Sequence, residues 1–192
     1  MSPKNKFNKD EIINLAFEYV RKNGWEGLSA RYLAQQLNAS TMPIYSYIGS
    51  MKNLEEEIVK KAYDLLYEHI TTSTTGDIWL DQGLGYVQFA KLENPLFQCI
   101  NDHKHGHLRR KYGLKIWKKL AENLSDYQAF EGLAPEQLDA IRDARWVYVH
   151  GLSTLINNSI LETYDDEQLK QYIQMTQNVL LMGFKEMFKK NS

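Results

Sequence analysis

Between Thr41 and Tyr47 the chain reads Thr-Met-Pro-Ile-Tyr-Ser-Tyr. A solvent-facing helix ordinarily carries Glu, Lys and Gln, whereas Thr41, Met42, Pro43, Tyr45, Ser46 and Tyr47 offer compact hydroxyl, methyl, thioether and phenol groups. Small polar and methyl-bearing groups fit base edges and thymine methyls in a major groove, and Tyr hydroxyls reach phosphate oxygens. The chemistry implied is the reading of duplex DNA, with bond-breaking playing no part. The alternative is a plain helical hairpin whose tyrosines only seal a core.

Two further groups could do chemistry. His103, His105 and His107 are three of the five histidines, and 103 and 107 have the i, i+4 spacing that chelates a metal on a helix. Gly106 interrupts the segment and Arg109, Arg110 and Lys111 would repel a cation, so a solvated loop is the competing reading and no metal is expected. Trp146 and His150, four apart, share one helix face, where His150 either packs as a hydrogen-bonded core residue or meets a ligand. No P-loop, dinucleotide fingerprint, His-Glu-x-x-His or Gly-x-Ser-x-Gly occurs, so neither enzymatic activity nor a cofactor is expected. The acids Glu55-Glu56-Glu57 and Asp165-Asp166 read as solvated faces and caps near helix N-termini.

The reading residues need a scaffold. Ser29, followed by Leu33, Ala34 and Leu37 at helical spacing, predicts a helix from Ser29 to Leu37. Asn38 and Ala39 end it, Asn tolerating the left-handed conformation of a helix C-terminus. Ser40 then caps a second short helix that stops before Gly49, with Pro43 in its first turn and Ala34, Ala39 and Ile44 packed between the two. Because Pro43 has no N–H, the Ser40 hydroxyl is expected to accept from Met42. A preceding helix starts with Asn8 and Glu11 as a capping box, buries Ile13, Ala16, Phe17 and Val20, and stops at Asn23-Gly24. Lys4 and Lys6 form a short basic arm before it.

This stretch resembles the DNA-binding domain of the TetR family of bacterial repressors, on Gly24, Gly27, Leu28, Ser29, Ala34, Leu37, Ser40, Tyr45 and Leu54. The resemblance implies a helix-turn-helix in which Thr41, Met42 and Pro43 face base edges, Tyr45 and Tyr47 hold the backbone, and Arg31 touches base or phosphate, with Ser40 and Ser46 beside them. The family's usual phosphate-binding Lys falls at Met51 here and is displaced to Lys52. One residue turns a helical side chain by ~100°.

From Ser50 a long helix carries Leu54, Ile58, Ala62, Leu65 and Leu66 on one side and ends in the polar run 71–76, which reads as a linker. In a TetR-like protein it joins the reader to the regulatory body. Further helices are expected from Asp77 through Leu92, from Asn94-Pro95, from Gly106 to Asn123, from Leu133-Ala134-Pro135 to about Leu161, and from Asp165-Asp166 to about Lys189. The fold class is all-α, divided into a DNA-binding domain at 1–54 and a helical bundle at 55–192. Such a bundle can enclose a ligand.

The segment from Trp146 to Gly151 resembles the Trp-x-x-x-His-Gly signature of one group of TetR-type C-terminal domains, as do Tyr86 to Ala90 followed by Glu93-Asn94-Pro95. Tyr86, Phe89, Trp117, Trp146 and His150 are the residues expected to line a ligand pocket in the bundle. The relatives pair through their last two long helices, which makes Leu152, Leu155, Ile156, Ile160, Val179, Leu180, Met182 and Phe184 dimer candidates.

Composition agrees with a folded helical protein: 43% of the 192 residues are hydrophobic and 24% charged. The single Cys99 excludes an intramolecular disulfide and fits a reducing cytoplasm. No apolar run approaches the ~18 residues of a membrane span, and the N-terminus lacks a signal-peptide core, so a cytoplasmic protein with no membrane partner is expected. Net charge is −1, but residues 1–54 hold seven Lys/Arg (Lys4, Lys6, Lys9, Arg21, Lys22, Arg31, Lys52) against Asp10, Glu11, Glu18 and Glu26, leaving the remainder at −4. An excess of +3 on one reader makes few phosphate contacts, which favours two copies on a pseudo-palindromic operator.

The sequence therefore implies a ligand-responsive repressor that binds operator DNA as a homodimer and is released by a small molecule. An effector-independent DNA-binding or dimerisation module, and a metal-dependent sensor using His103, His105 and His107, are the alternatives. Met42 and Pro43 make the reading face unusually apolar, so selection from random duplex should return A·T pairs at the contacted positions, where thymine methyls are presented. Recovery of G·C alone there would contradict this.

Overall fold

A computed structural model describes residues 7–160 and 164–190. Among them there are helices and no strands. The Lys4 and Lys6 arm and Leu161 lie outside the described residues. The chain forms two compact units, the first comprising residues 1–65 and 93–116, the second 66–92 and 117–192. Compactness thus divides the chain differently from the expected 54/55 boundary, because a later segment joins the N-terminal helices.

In the first unit, α1 (Lys9–Asn23) opens on the expected capping box: Glu11 N–H donates to Asn8 Oδ1 at 3.0 Å and Asn8 N–H to Glu11 Oε2 at 2.7 Å. Its buried residues Ile12, Ile13, Ala16, Phe17 and Val20 form the face against which α2 (Ala30–Gln36) and α3 (Thr41–Ile48) pack. The helix α4 (Met51–Thr71) starts with Asn53 N–H donating to Ser50 Oγ at 3.1 Å. A second layer on α1 comes from α6 (Asn94–Asn101), with Pro95 in its first turn. The chain then passes through a 3-10 turn (His103–His105) and α7 (Gly106–Leu108). A π-helical turn (Arg109–Gly113) leads into α8 (Leu114–Glu122). The single helix expected from Gly106 to Asn123 is therefore interrupted by a π turn over Arg109–Gly113, where the i to i−4 ladder gives way to wider bonding.

The second unit is organised around α5 (Ile78–Leu92), which buries residues on nearly every side from Trp79 to Ala90. A helix buried all round is a central helix, and α9 (Pro135–Asn157) and α10 (Asp166–Lys190) pack on it and on each other. At one end Trp79, Leu124, Phe130 and Ile141 form a core cluster joined by Phe184 and Phe188. Asp77 caps α5 through Trp79 and Leu80 N–H at 2.9 and 3.1 Å, and Asp165 caps α10 through Gln168 N–H at 2.8 Å. The helix α9 ends at Asn157, with Ser159 at φ +56°, short of the expected Leu161.

The polar run 71–76 does not hang as a linker. Thr71 and Thr72 hydroxyls donate back to the Tyr67 and Glu68 carbonyls at 2.7 and 2.8 Å. Ser73, Thr74 and Thr75 hydroxyls converge on the buried Asp81 carboxylate at 3.2, 2.9 and 2.7 Å. Burial pushes the Asp81 pKa up, but the hydrogen bonds from Thr75 and Thr74 outweigh it and hold the carboxyl below its ordinary range.

Gly85 lets α5 approach the end of α4: a Cβ there would overlap the His69 carbonyl group. Backbone cannot swing aside as a side chain can, so Gly85→Ala should destabilise the second unit by roughly 1–3 kcal/mol or more. Urea denaturation measures this, and an unchanged midpoint would refute the close approach.

Candidate nucleic-acid interface

The helix α3 has eight residues, too few to persist by its own propensity. It is held by Ile44 and Ile48, both buried, against α2 and α1. The rest of its surface stays uncommitted: Met42 is 80% exposed, Tyr45 45% exposed, and Thr41 and Ser46 are also exposed. Pro43 and Tyr47 are half-buried, Tyr47 with its ring 5.9 Å from Phe7. Arg31, on α2, and Lys52, on the first turn of α4, are exposed. The sequence-predicted reading residues thus lie on α3 and the adjoining turns of α2 and α4.

The helix turns are set locally. Ser29 caps α2 by accepting from Tyr32 N–H at 3.1 Å. Asn38 takes φ +49° between α2 and α3, the left-handed turn expected of it. Gly49 ends α3 at φ +72°. One expectation fails. Ser40 sits at the N-cap in extended conformation but its side chain accepts no capping bond. Pro43 occupies the third helical position, whose N–H is a usual partner of an N-cap hydroxyl, and the Met42 N–H does not substitute. Ser46 in turn donates its hydroxyl to the Pro43 carbonyl at 2.8 Å.

The electrostatics also differ from the count of Lys and Arg. Arg21 is not a phosphate contact, since its guanidinium grips Glu93 with two hydrogen bonds, Nε to Oε2 at 2.7 Å and Nη2 to Oε1. That partner holds its pKa above the ordinary arginine value. Lys9 pairs with Glu57 at 3.3 Å. Neither Glu55, Glu56 nor Glu57 is a plain solvated acid. Lys104 Nζ and His105 Nε2 lie 3.3 and 3.4 Å from Glu55, and Lys111 Nζ and Tyr112 Oη lie 2.7 and 3.0 Å from Glu56. The Lys111 ammonium, then the Tyr112 hydroxyl, hold the Glu56 carboxyl below its ordinary range.

The histidine segment is not a solvated loop throughout. His105 is 2% exposed, with its ring 4.8 Å from that of Trp25, while His103 and His107 are exposed. Among the described residues no three His, Cys, Asp or Glu gather as a metal site would require. The sequence offers His105 as a metal candidate and Glu55 as a solvated acid, but not their pairing with each other; the cue was the acidic triplet at 55–57 and a basic run from Lys104 to Lys111.

Of the five residues expected to line a ligand pocket, three come together. Tyr86 Oη and His150 Nδ1 are 2.8 Å apart, and the Trp146 ring stacks on His150 with centroids 5.2 Å apart and an interplanar angle of 16°. Phe89 is fully buried with its ring edge-on to His69, and Trp117 lies under the Arg142 guanidinium at 4.5 Å. Among the dimer candidates, Leu152 is buried within its own protomer and Phe184 packs on the Trp79 cluster. Leu155, Ile160, Val179 and Met182 stay exposed.

A crystal structure of a TetR-family transcriptional regulator from Streptomyces coelicolor superposes with a TM-score of 0.69 at 14% identity, over 90% of this chain and 82% of that one. The fold is that of the TetR-family transcriptional regulators. A second member, PfmR from Thermus thermophilus, matches with a TM-score of 0.51 at 14% identity, over 92% of this chain and 96% of that one. By sequence, the uncharacterized HTH-type transcriptional regulator YobS of Bacillus subtilis (strain 168) is 25% identical over 177 residues, 86% of this chain and 87% of the relative. No protein-family model matches the chain. In TetR-fold terms α2 and α3 are the helix-turn-helix. No helix among the described residues is long and apolar enough to cross a membrane.

Proposed function

We propose that this TetR-fold protein is a DNA-binding transcriptional regulator, acting as a cytoplasmic homodimer that represses from a pseudo-palindromic operator and is released by a small-molecule effector. The observation that carries the DNA reading is the surface of α3. A short helix pinned by two isoleucines leaves Thr41, Met42 and Tyr45 exposed, with Lys52 and Arg31 exposed on its flanks. Methyl and hydroxyl groups read base edges, and cations and phenols hold phosphates. The reading residues are Arg31, Ser40, Thr41, Met42, Pro43, Tyr45, Ser46, Tyr47 and Lys52. The 25% identity to an HTH-type regulator over most of both chains supports the same reading.

Homodimerisation is supported by α10. Met175, Val179 and Met182 recur at i, i+4 and i+7 and are all more than half exposed, a stripe that a lone soluble protomer rarely shows. A second copy would cover it, joined by Leu155 and Ile160. For the effector, Tyr86, Trp146 and His150 are the favoured contacts, since an aromatic face and a hydrogen-bonded imidazole suit a planar or polar small molecule. Release follows if that molecule favours a reader spacing that DNA does not.

Tyr45→Ala should abolish binding to a duplex selected by the wild-type protein, leaving helicity and oligomeric state intact; undiminished affinity in a mobility-shift titration would overturn the assignment. Val179→Asp with Met182→Asp should give a monomer by analytical ultracentrifugation and weaken operator binding. A dimer that survives both charges would place the interface elsewhere.

A further inference from the structure

The segment from Lys104 to Lys115 holds Lys104, Arg109, Arg110, Lys111 and Lys115 and not one acid. It belongs to the same compact unit as the helix-turn-helix, although some fifty residues separate them in sequence. Its cations divide into two groups. Lys104 and Lys111 are spent on Glu55 and Glu56, one turn along α4 from Lys52. Lys9 from α1 similarly covers Glu57. Bare carboxylates so close to Lys52 would repel a phosphate chain, and these pairings cancel that repulsion.

Arg109, Arg110 and Lys115 remain. All are exposed, and among the described residues no acid forms an ion pair with them. Their position is fixed by the neighbouring anchors. Tyr112, within the same π turn, donates to Glu56 at 3.0 Å and stacks on Tyr63 at 6.3 Å. Tyr112 also lines a hollow of about 350 Å³ together with Lys9, Asn53 and Ile48, the last residue of α3. The π turn is thus held beside the end of the proposed reading helix, and the wider turn changes which side chains face outward there.

We propose that Arg109, Arg110 and Lys115 form a second phosphate-contacting surface, which engages the DNA backbone outside the base pairs read by α3. This rests on the DNA-reading function proposed above. Contacts confined to the phosphate backbone add affinity and salt dependence without sequence preference.

The test uses the full-length protein and a duplex it has selected from a random library, prepared flush with the selected site or extended by about ten base pairs, one helical turn, on each side. The wild type should bind the extended duplex more tightly. Arg109→Gln/Arg110→Gln/Lys115→Gln should lose that gain, roughly tenfold, and on the extended duplex lower the slope of log affinity against log salt by about 5, three contacts from each protomer of the dimer, while binding the flush duplex as the wild type does. Unchanged helicity by circular dichroism shows that the variant is folded, and Arg110→Glu alone serves if the triple variant is not. Two results overturn the inference: an unchanged salt slope and flank gain, or equal losses on both duplexes, which would place these residues inside the reading footprint. A wild-type protein that selects no duplex at all, even at low salt, overturns the DNA-reading function itself, a different failure.

Discussion

The proposed reading surface depends on how little of α3 is used to hold it. A helix of eight residues cannot stand alone in water, so it must borrow its stability from packing, and here Ile44 and Ile48 supply the contact with the first unit's core. Each buried side chain of this size contributes on the order of 1.5–3 kcal/mol. Confining the buried anchor to these two positions leaves Thr41, Met42 and Tyr45 exposed. Capping is spared as well: Pro43 removes the N–H that Ser40 would otherwise serve, so the Ser40 hydroxyl makes no bond within the helix. The start of α3 is instead fixed by Asn38 in its left-handed turn and by Ser29 capping α2.

A second constraint is electrostatic. The chain is nearly neutral, and its N-terminal cations are fewer than a count suggests, because Arg21 and Lys9 are engaged with Glu93 and Glu57. What makes the surroundings of α3 compatible with a polyanion is the pairing of the acidic triplet on α4 with cations from elsewhere in the same unit. Exposed pairs of this kind add little stability, with a median of about 0–1 kcal/mol. Their consequence is the sign of the local field. His105 extends the same junction inward, packed on Trp25 and beside Glu55, and so ties the loop before α2 to α4 and to the 3-10 turn.

In the second unit, polar groups fix geometry. The hydroxyls of Ser73, Thr74 and Thr75 close on Asp81, and the tie between Tyr86 and His150 joins α5 to α9. The buried Arg145 guanidinium lies 3.8 Å from the centre of the Trp79 ring and donates to the Trp79 carbonyl. Burial, first of all, pushes its pKa down to about 9. Interior polar contacts of this sort favour one packing of α5 against α9 over its near alternatives.

Local order was legible in the sequence because local bonds create it. The capping box at Asn8, the caps at Ser29, Asp77 and Asp165, the left-handed Asn38 and the stop at Gly49 each involve residues no more than a few positions apart. Periodicity identified Ile44 as inward, and spacing put Trp146 and His150 on one face. What composition could not disclose is which distant groups meet. That Glu93 takes Arg21, that Lys104 and Lys111 take Glu55 and Glu56, that the 71–76 run wraps Asp81, and that Leu152 belongs to its own protomer's core all depend on chain paths across many residues. Helical signals are short-ranged, a few bonds in reach, whereas charge pairing and burial are settled only when separate helices pack.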